Sequence, residues 1–232
     1  MRKIIHSLCL AVASLGVTGP AWADDPVVVE LFTSQGCSSC PPADAMLHDL
    51  AKRDDVIALA LHVDYWDYIG WKDTFADPAF TRRQHGYARA NNATTVYTPQ
   101  MVIGGTDFVV GAKPMDVVEA IRAHQAVGSP VEVEIQPYGE RLRISAEAEG
   151  PVRGPLVVQL VAVDPEETVS ITRGENAGKT ISYANIVTDW AVIGEWDGKG
   201  RFEASVPRGS GTVAVLVQEA AFGRILGAAQ LR

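Results

Sequence analysis

Two textures run along the chain and meet near Gly128-Ser129-Pro130. Before that point, apolar runs alternate with stretches of helical spacing. Residues 27–32, VVVELF, are a continuous run rich in β-branched side chains, the pattern of a buried strand. Residues 41–53 carry Ala43, Met46, Leu47 and Leu50 on one helical face. Residues 56–63 predict a second buried strand. Asp77-Pro78 opens a helix to about residue 90, with the proline in its first turn. Residues 100–103 and 107–110 read as short strands joined by Gly104-Gly105-Thr106, a hairpin signal. Lys113-Pro114 opens a last helix that ends by Gly128. The order β-α-β-α-β-β-α implies a sheet covered by helices on both faces.

Past Gly128 the helical spacing stops. Residues 131–136 alternate as V-E-V-E-I-Q and residues 141–147 as R-L-R-I-S-A-E. Further strand-like runs follow at 155–163, 169–173, 190–195, 201–205, 212–219 and 225–231, separated by Gly, Pro and Asp turns. This pattern predicts a second, all-β, sandwich-like domain over residues 129–232.

The first 23 residues stand apart. A basic start, Met1-Arg2-Lys3, precedes a mostly apolar run and the A-x-A pattern Ala21-Trp22-Ala23. These are the parts of a Sec-type secretory signal, cleaved before Asp24, so a periplasmic or secreted location is expected. Elsewhere no stretch reaches the roughly 18 apolar residues of a membrane helix. The whole chain of 232 residues has a formal charge of −8. Removing Arg2 and Lys3 from its 20 basic residues leaves 18 against 28 acidic ones, a net −10. Such a charge gives no general attraction for nucleic acid or anionic lipid. Cys9 departs with the signal, leaving Cys37 and Cys40 as the only cysteines, in a compartment where disulfides persist.

That pair forms CSSC at a strand-to-helix junction. A helix N-terminus stabilises a thiolate, which makes Cys37 a candidate exposed nucleophile and Cys40 a candidate resolving thiol. Redox exchange needs no cofactor and no metal. Two other uses of the pair stay open. One is metal binding, with Cu(I) suited to two thiolates better than Zn(II), which usually takes four protein ligands. The other is a structural disulfide in a protein-interaction module, although so short a loop gains little from closure. Asp64-Tyr65-Trp66-Asp67 and Trp71 follow the second strand. Loops in that position bind ligands in open α/β sheets, so Tyr65 and Trp66 are candidates for contacting a peptide or partner. Glu30 is the lone acid in an apolar run, where an unpaired carboxylate is costly.

The element order, the C-x-x-C after the first strand, and Thr98-Pro99 opening a later strand resemble the thioredoxin superfamily. ELFTSQGCSSCPPAD, LHVDYWDYIGWKDTFADPAFTRRQ, VYTPQMVIGG and RGENAGKTISYAN are more narrowly similar to an uncharacterised bacterial family of secreted thioredoxin-like proteins, domain-of-unknown-function family 1223. The resemblance implies a thioredoxin-like α/β domain over residues 24–128, with a mixed sheet and a helical insertion near 64–95. It implies that Thr98 and a cis Pro99 hold the substrate backbone beside the cysteines, and that Glu30 takes the proton of Cys40. The expected activity is that of an exported thiol–disulfide oxidoreductase acting on protein thiols or disulfides of the cell envelope, with a redox partner protein. Ser38-Ser39 replaces the Gly-Pro of thioredoxin and Gly36 replaces its aromatic residue, so the direction of electron flow is not set by the motif.

Overall fold

A computed structural model describes residues 25–232; the expected signal, residues 1–23, lies outside the described residues. The first half contributes β1 (Val27–Thr33), α1 (Pro41–Leu50), β2 (Val56–His62), α2 (Pro78–Ala90), β3 (Gln100–Ile103), β4 (Asp107–Val110) and α3 (Pro114–Val127). Each helix opens on a proline, whose missing amide costs nothing in the first turn. The second half contributes β5 (Val131–Tyr138), β6 (Arg141–Ala148), β7 (Leu156–Ser170), β8 (Thr180–Trp196), β9 (Phe202–Pro207), β10 (Thr212–Glu219) and β11 (Ile225–Leu231).

Pairing corrects the expected architecture. The chain is not a thioredoxin-like α/β domain followed by a separate all-β sandwich. It is a mostly-β fold with one eight-stranded mixed sheet, ordered β11-β10-β7-β8-β2-β1-β3-β4, and a three-stranded sheet, β5-β6-β9. Strands from the second half join the sheet of the first where β2 meets β8 in parallel, at Ala60 and Ile186. Asn185 reinforces the junction by donating from Nδ2 to the Ala58 carbonyl at 2.9 Å. Local periodicity identifies strands, but it carries no information about which distant strands pair.

Side-chain burial follows the same continuity. On one face of the large sheet, Val28 and Phe32 of β1 share a core with Leu61, Val102, Val161, Val187 and Leu216, under α2. This core takes residues from both halves, so it cannot be divided between two domains. On the other face, Val29 and Leu31 pack with Ala43 and Leu47 of α1 and Ile121 of α3. The three-stranded sheet covers β7, β10 and β11 through a third core that includes Ile144, Val158, Val215 and Trp196.

The strands β7 and β8 are longer than their patterns suggest. The run 155–163, apart from its first residue, and the start of the run 169–173 belong to one strand, which continues through Asp164-Pro165-Glu166-Glu167 and ends at Ser170. Its ladder with β8 passes from Asp164↔Ile186 to Glu166↔Ala184. At the skipped pair, Pro165 has no amide and Asn185 takes a left-handed φ of 49°. The two strands therefore form an arm that reaches back over the first half.

The centre of the fold holds a buried ion pair. Arg83 of α2 donates from Nε and Nη2 to the two oxygens of Glu30, at 2.6 and 2.9 Å. The same guanidinium donates to Gln159 of β7 and Gln218 of β10, and its Cζ lies 3.9 Å from the Trp190 ring of β8. Breaking a buried pair on one side strands a charge, at about 3–5 kcal/mol. Arg83→Met is expected to lower the unfolding free energy by about that much, measured in urea. Arg83→Met combined with Glu30→Leu is expected to be more stable than Arg83→Met alone. A double variant less stable than the single one would contradict this account.

Candidate active site around the Cys37–Cys40 disulfide

The end of β1 turns into α1 through Ser34-Gln35-Gly36-Cys37-Ser38-Ser39-Cys40. Backbone bonds from Cys37 to Ser34 and from Cys40 to Cys37, at 3.1 and 3.2 Å, wind the turn. Gly36 sits in a close contact: a Cβ there would lie 3.2 Å from side-chain atoms of Trp66 and Ile69. Cys40 is the N-cap of α1, and Pro41 and Pro42 fill its first two positions. The helix therefore starts after the second cysteine, and its first two amides are missing.

Cys37 and Cys40 are joined as a disulfide. Cys37 is 1 % exposed and Cys40 0 %, so the expectation of an exposed Cys37 is corrected in this oxidised state. Two elements distant in sequence close over the turn. From the tip between β7 and β8, the buried Asn176 side chain donates to the carbonyls of Gln35 and Cys37, both at 2.9 Å. From the segment after β2, Trp71 donates its indole N–H to Gln35 Oε1 at 2.8 Å. Ser38 and Ser39 stay exposed, with Ser39 Oγ 3.4 Å from Cys37 Sγ.

Four of the residues singled out in the sequence come together beside this turn. The Thr98-Pro99 peptide is cis. Pro99 immediately precedes Gln100, which pairs with Phe32 near the end of β1. Trp66 donates from Nε1 to Thr98 Oγ1 at 2.8 Å. Tyr65 donates to Gln84 Oε1 at 3.1 Å, and Gln84 in turn donates to the Tyr97 carbonyl. Burial pushes the Tyr65 phenol up to about 12, against the opposing hydrogen bonds with Gln84 and Thr98. Next to this group Tyr68 and Tyr97 are exposed, and Tyr68 stacks on Trp66.

Glu30 lies elsewhere. Its neighbours Val28 and Phe32 face α2, and its carboxylate is engaged by Arg83 and by the Tyr87 hydroxyl. The carboxyl nearest in sequence to Cys40 on its own helix is Asp44. Its amide donates to the Cys40 carbonyl at 3.1 Å, and its Oδ1 accepts from Thr33 Oγ1 at 2.7 Å. Burial raises this carboxyl to about 7, against the lowering effects of Thr33 and His62. His62, buried in β2, meets Asp73 through Nδ1 at 2.7 Å. Burial works to raise Asp73, but the His62 ring and the amides of Gln35 and Phe75 outweigh it and hold the carboxyl below its ordinary range.

Sequence reasoning did not find Asp44, Asp73 or Asn176. Asp44 sits in an ordinary amphipathic helix, and Asn176 lies in the Gly-containing loop 173–179, which reads mainly as a turn between strands and alternatively as a domain-contact or partner loop. Only the position of Asp44, one turn after Cys40, was available as a signal. A cleft of about 1150 Å³ lies at the opposite end of β1, lined by Asp25, Asp54, Asp55, Glu132 and Arg232, away from the disulfide.

Asp44 gives stability a defined pH dependence. Its carboxyl rises from 3.8 to about 7 on folding, so the folded chain binds the proton more tightly. Stability from this group is fully present below the unfolded value and is lost as pH rises through the folded one. Three units correspond to about 4 kcal/mol. Between pH 4 and 7 the wild-type unfolding free energy is expected to fall relative to Asp44→Asn by up to about that amount. Urea unfolding of both proteins across this range checks it, and a constant difference would refute it.

Comparison with known proteins adds a family and two structures. AGR_C_4864 of Agrobacterium tumefaciens, solved by X-ray crystallography, superposes with a TM-score of 0.78 at 36% identity, over 88% of this chain and 93% of that one. HBP35 of Porphyromonas gingivalis superposes with a TM-score of 0.61 at 15% identity, over 90% of this chain and 75% of that one, a likeness of fold alone. No curated protein matches the chain. The family model described as a protein of unknown function, DUF1223, matches residues 28–218, and the chain belongs to that family.

Proposed function

We propose that the protein is an exported thiol–disulfide oxidoreductase in which Cys37 and Cys40 exchange with protein thiols or disulfides of the cell envelope. The observation that carries this reading is a C-x-x-C pair joined as a disulfide at the end of a central strand, with the buried carboxyl of Asp44 on the helix that follows. Stapling is a weak reason for such a bond. Closing a loop of four residues contributes about 2 kcal/mol in the chain-entropy picture, against almost 5 for a loop of 100. The signal-like first 23 residues support export, which places the pair where oxidation persists.

In the oxidising direction, a substrate thiolate attacks Cys37 Sγ and the Cys37–Cys40 bond breaks, leaving its electron pair on Cys40. A second substrate thiol then displaces Cys37. The substrate is oxidised to a disulfide and the pair is reduced to two thiols, with two electrons transferred. A dithiol or disulfide of a redox partner protein restores the starting state. Thr98, Pro99, Tyr65 and Trp66 form the candidate docking face, with Tyr68 and Tyr97 as its exposed aromatic margin.

The burial of both sulfurs favours a second reading, in which the disulfide is structural and the β-rich surface binds a partner. The reduction potential separates the two. Equilibration with glutathione is expected to give a value between about −120 and −270 mV; one below about −300 mV would instead mark a structural bond. Cys37→Ser is expected to abolish exchange, and Cys40→Ser to accumulate mixed disulfides detectable by mass spectrometry. Thr98→Val removes the partner of Trp66. It is expected to raise KM for a peptide dithiol by about fivefold, the worth of one hydrogen bond. Reduction by dithiothreitol should be unaffected; an equal effect on both would remove the docking role.

A further inference from the structure

Neither sulfur can be reached in the oxidised chain, since Cys37 is 1 % exposed and Cys40 0 %. Exchange needs a thiolate in contact with a sulfur, so something above the turn must move first. The loop 171–179, at the tip of the arm formed by β7 and β8, is built to do so. It is closed on itself. Ile171 donates its amide to the Lys179 carbonyl at 2.9 Å and accepts from the Gly178 amide at 2.8 Å. Inside it, Ala177 donates to the Gly174 carbonyl and Lys179 to the Asn176 carbonyl. Arg173, Glu175, Ala177 and Lys179 are exposed. The loop can therefore settle on the turn, or lift from it, as one piece.

Among the described residues, two hydrogen bonds run from this loop to residues outside it, and both come from one side chain. Asn176 Nδ2 donates to the carbonyls of Gln35 and Cys37, each at 2.9 Å. Its Oδ1 accepts from Lys179 Nζ at 2.8 Å. An ammonium only donates and a carbonyl only accepts, so both amide hydrogens must face the turn. Asn176 is 1 % exposed in a loop that otherwise faces solvent. A buried amide is costly unless paired, and here both hydrogens and the oxygen are engaged. Packing adds a close approach of Gly174 to Trp71, where a Cβ would lie 3.2 Å from Trp71 Cβ.

Resting on the exchange reading above, we propose that Asn176, oriented by Lys179, governs access to Cys37: its two bonds latch the loop onto the turn, and a partner thiolate reaches the sulfur only after they release. No covalent bond changes in this step, and the two displacements written above follow it. Asn176 touches no reacting atom and is a positioning residue. A partner docked on Thr98, Pro99, Tyr65 and Trp66 can use binding energy to hold the loop open. Its apparent affinity is lowered by the small fraction of molecules whose loop is open.

The test compares the purified protein with Asn176→Ala and Asn176→Asp. Asn176→Ala is expected to raise the second-order rate of reduction by dithiothreitol about 30-fold, the worth of two ordinary hydrogen bonds. For a peptide dithiol, KM is expected to fall by a similar factor at unchanged kcat. A raised KM or a lowered kcat would show a merely structural loss and overturn the latch. Asn176→Asp keeps the shape without the donors and is expected to follow Asn176→Ala; behaviour like the wild type would overturn the role of the amide. Reduction of the wild type is expected to be nearly flat in low urea, because lifting one loop exposes little surface. A rate that climbs with the full slope of unfolding would mean that the sulfurs are reached only by unfolding, and it would overturn the proposal. Should both Asn176 variants fail to fold, Lys179→Met serves instead. It is expected to speed reduction about fivefold, and an unmoved rate counts against the latch. The reduction potential, measured in parallel, separates two failures. A potential in the exchange range with equal rates in all variants overturns the role of Asn176 alone. Faster reduction of the variants with a potential in the structural range overturns the oxidoreductase reading and the access step with it.

Discussion

The Arg83–Glu30 pair is the constraint around which the molecule is arranged. A carboxylate in the middle of β1 and a guanidinium on α2 are both removed from water, which is tolerable only if every nearby acceptor and donor is matched. Burial works against the Arg83 charge, but Glu30 and Tyr87 outweigh it and hold the guanidinium above its ordinary value. The remaining partners, Gln159, Gln218 and Trp190, come from three strands of the second half. One ion pair thus ties the central strand, the helix over it and the late strands into a single core. It also fixes the strand whose end carries the cysteines.

From that anchor the site is assembled by convergence. The turn after β1 supplies the disulfide, and the segment after β2 supplies Trp66, Trp71 and Asp73. The residues before β3 supply Thr98 and Pro99. The arm of β7 and β8 brings Asn176 across 139 positions of sequence to the Cys37 carbonyl. The polar side chains at the turn hold both its backbone and one another. Gln35, for example, accepts from Trp71 through its side chain, while its own amide donates to Asp73. The result is a closed oxidised site whose immediate exposed features are two serines and, to one side, a pair of tyrosines.

Much of the fold was legible in the sequence because it is written locally. The apolar run of β1, the proline starts of all three helices and the Gly104-Gly105 hairpin each state their own conformation. What was not legible is non-local. Nothing in TISYANIV shows that Ile186 lies beside Ala60, and that one pairing turns two expected domains into one sheet. The tetrad Asp164-Pro165-Glu166-Glu167 has turn composition, yet it sits in a two-stranded arm where one strand tolerates a proline at a skipped ladder position. The candidate site divides in the same way. Cys37, Cys40, Thr98 and Trp66 are conspicuous by residue type and spacing. Glu30 was conspicuous too, but its partner was hidden 53 residues away. Asp44 is one polar residue among several in α1 and gains its character only from what covers it.

The order in which the chain is made gives the arm a further consequence. Translation delivers the amino-terminal part first, so β1, the cysteines and α1 emerge long before Asn176, Tyr183 or Gln218. During that interval the CSSC turn has neither its carbonyl clamp nor the wall that β8 builds behind it, and Arg83 still faces solvent on its far side. The last hundred residues supply the groups that close over the turn. The carboxy-terminal half is in this sense a late-arriving cover for the turn.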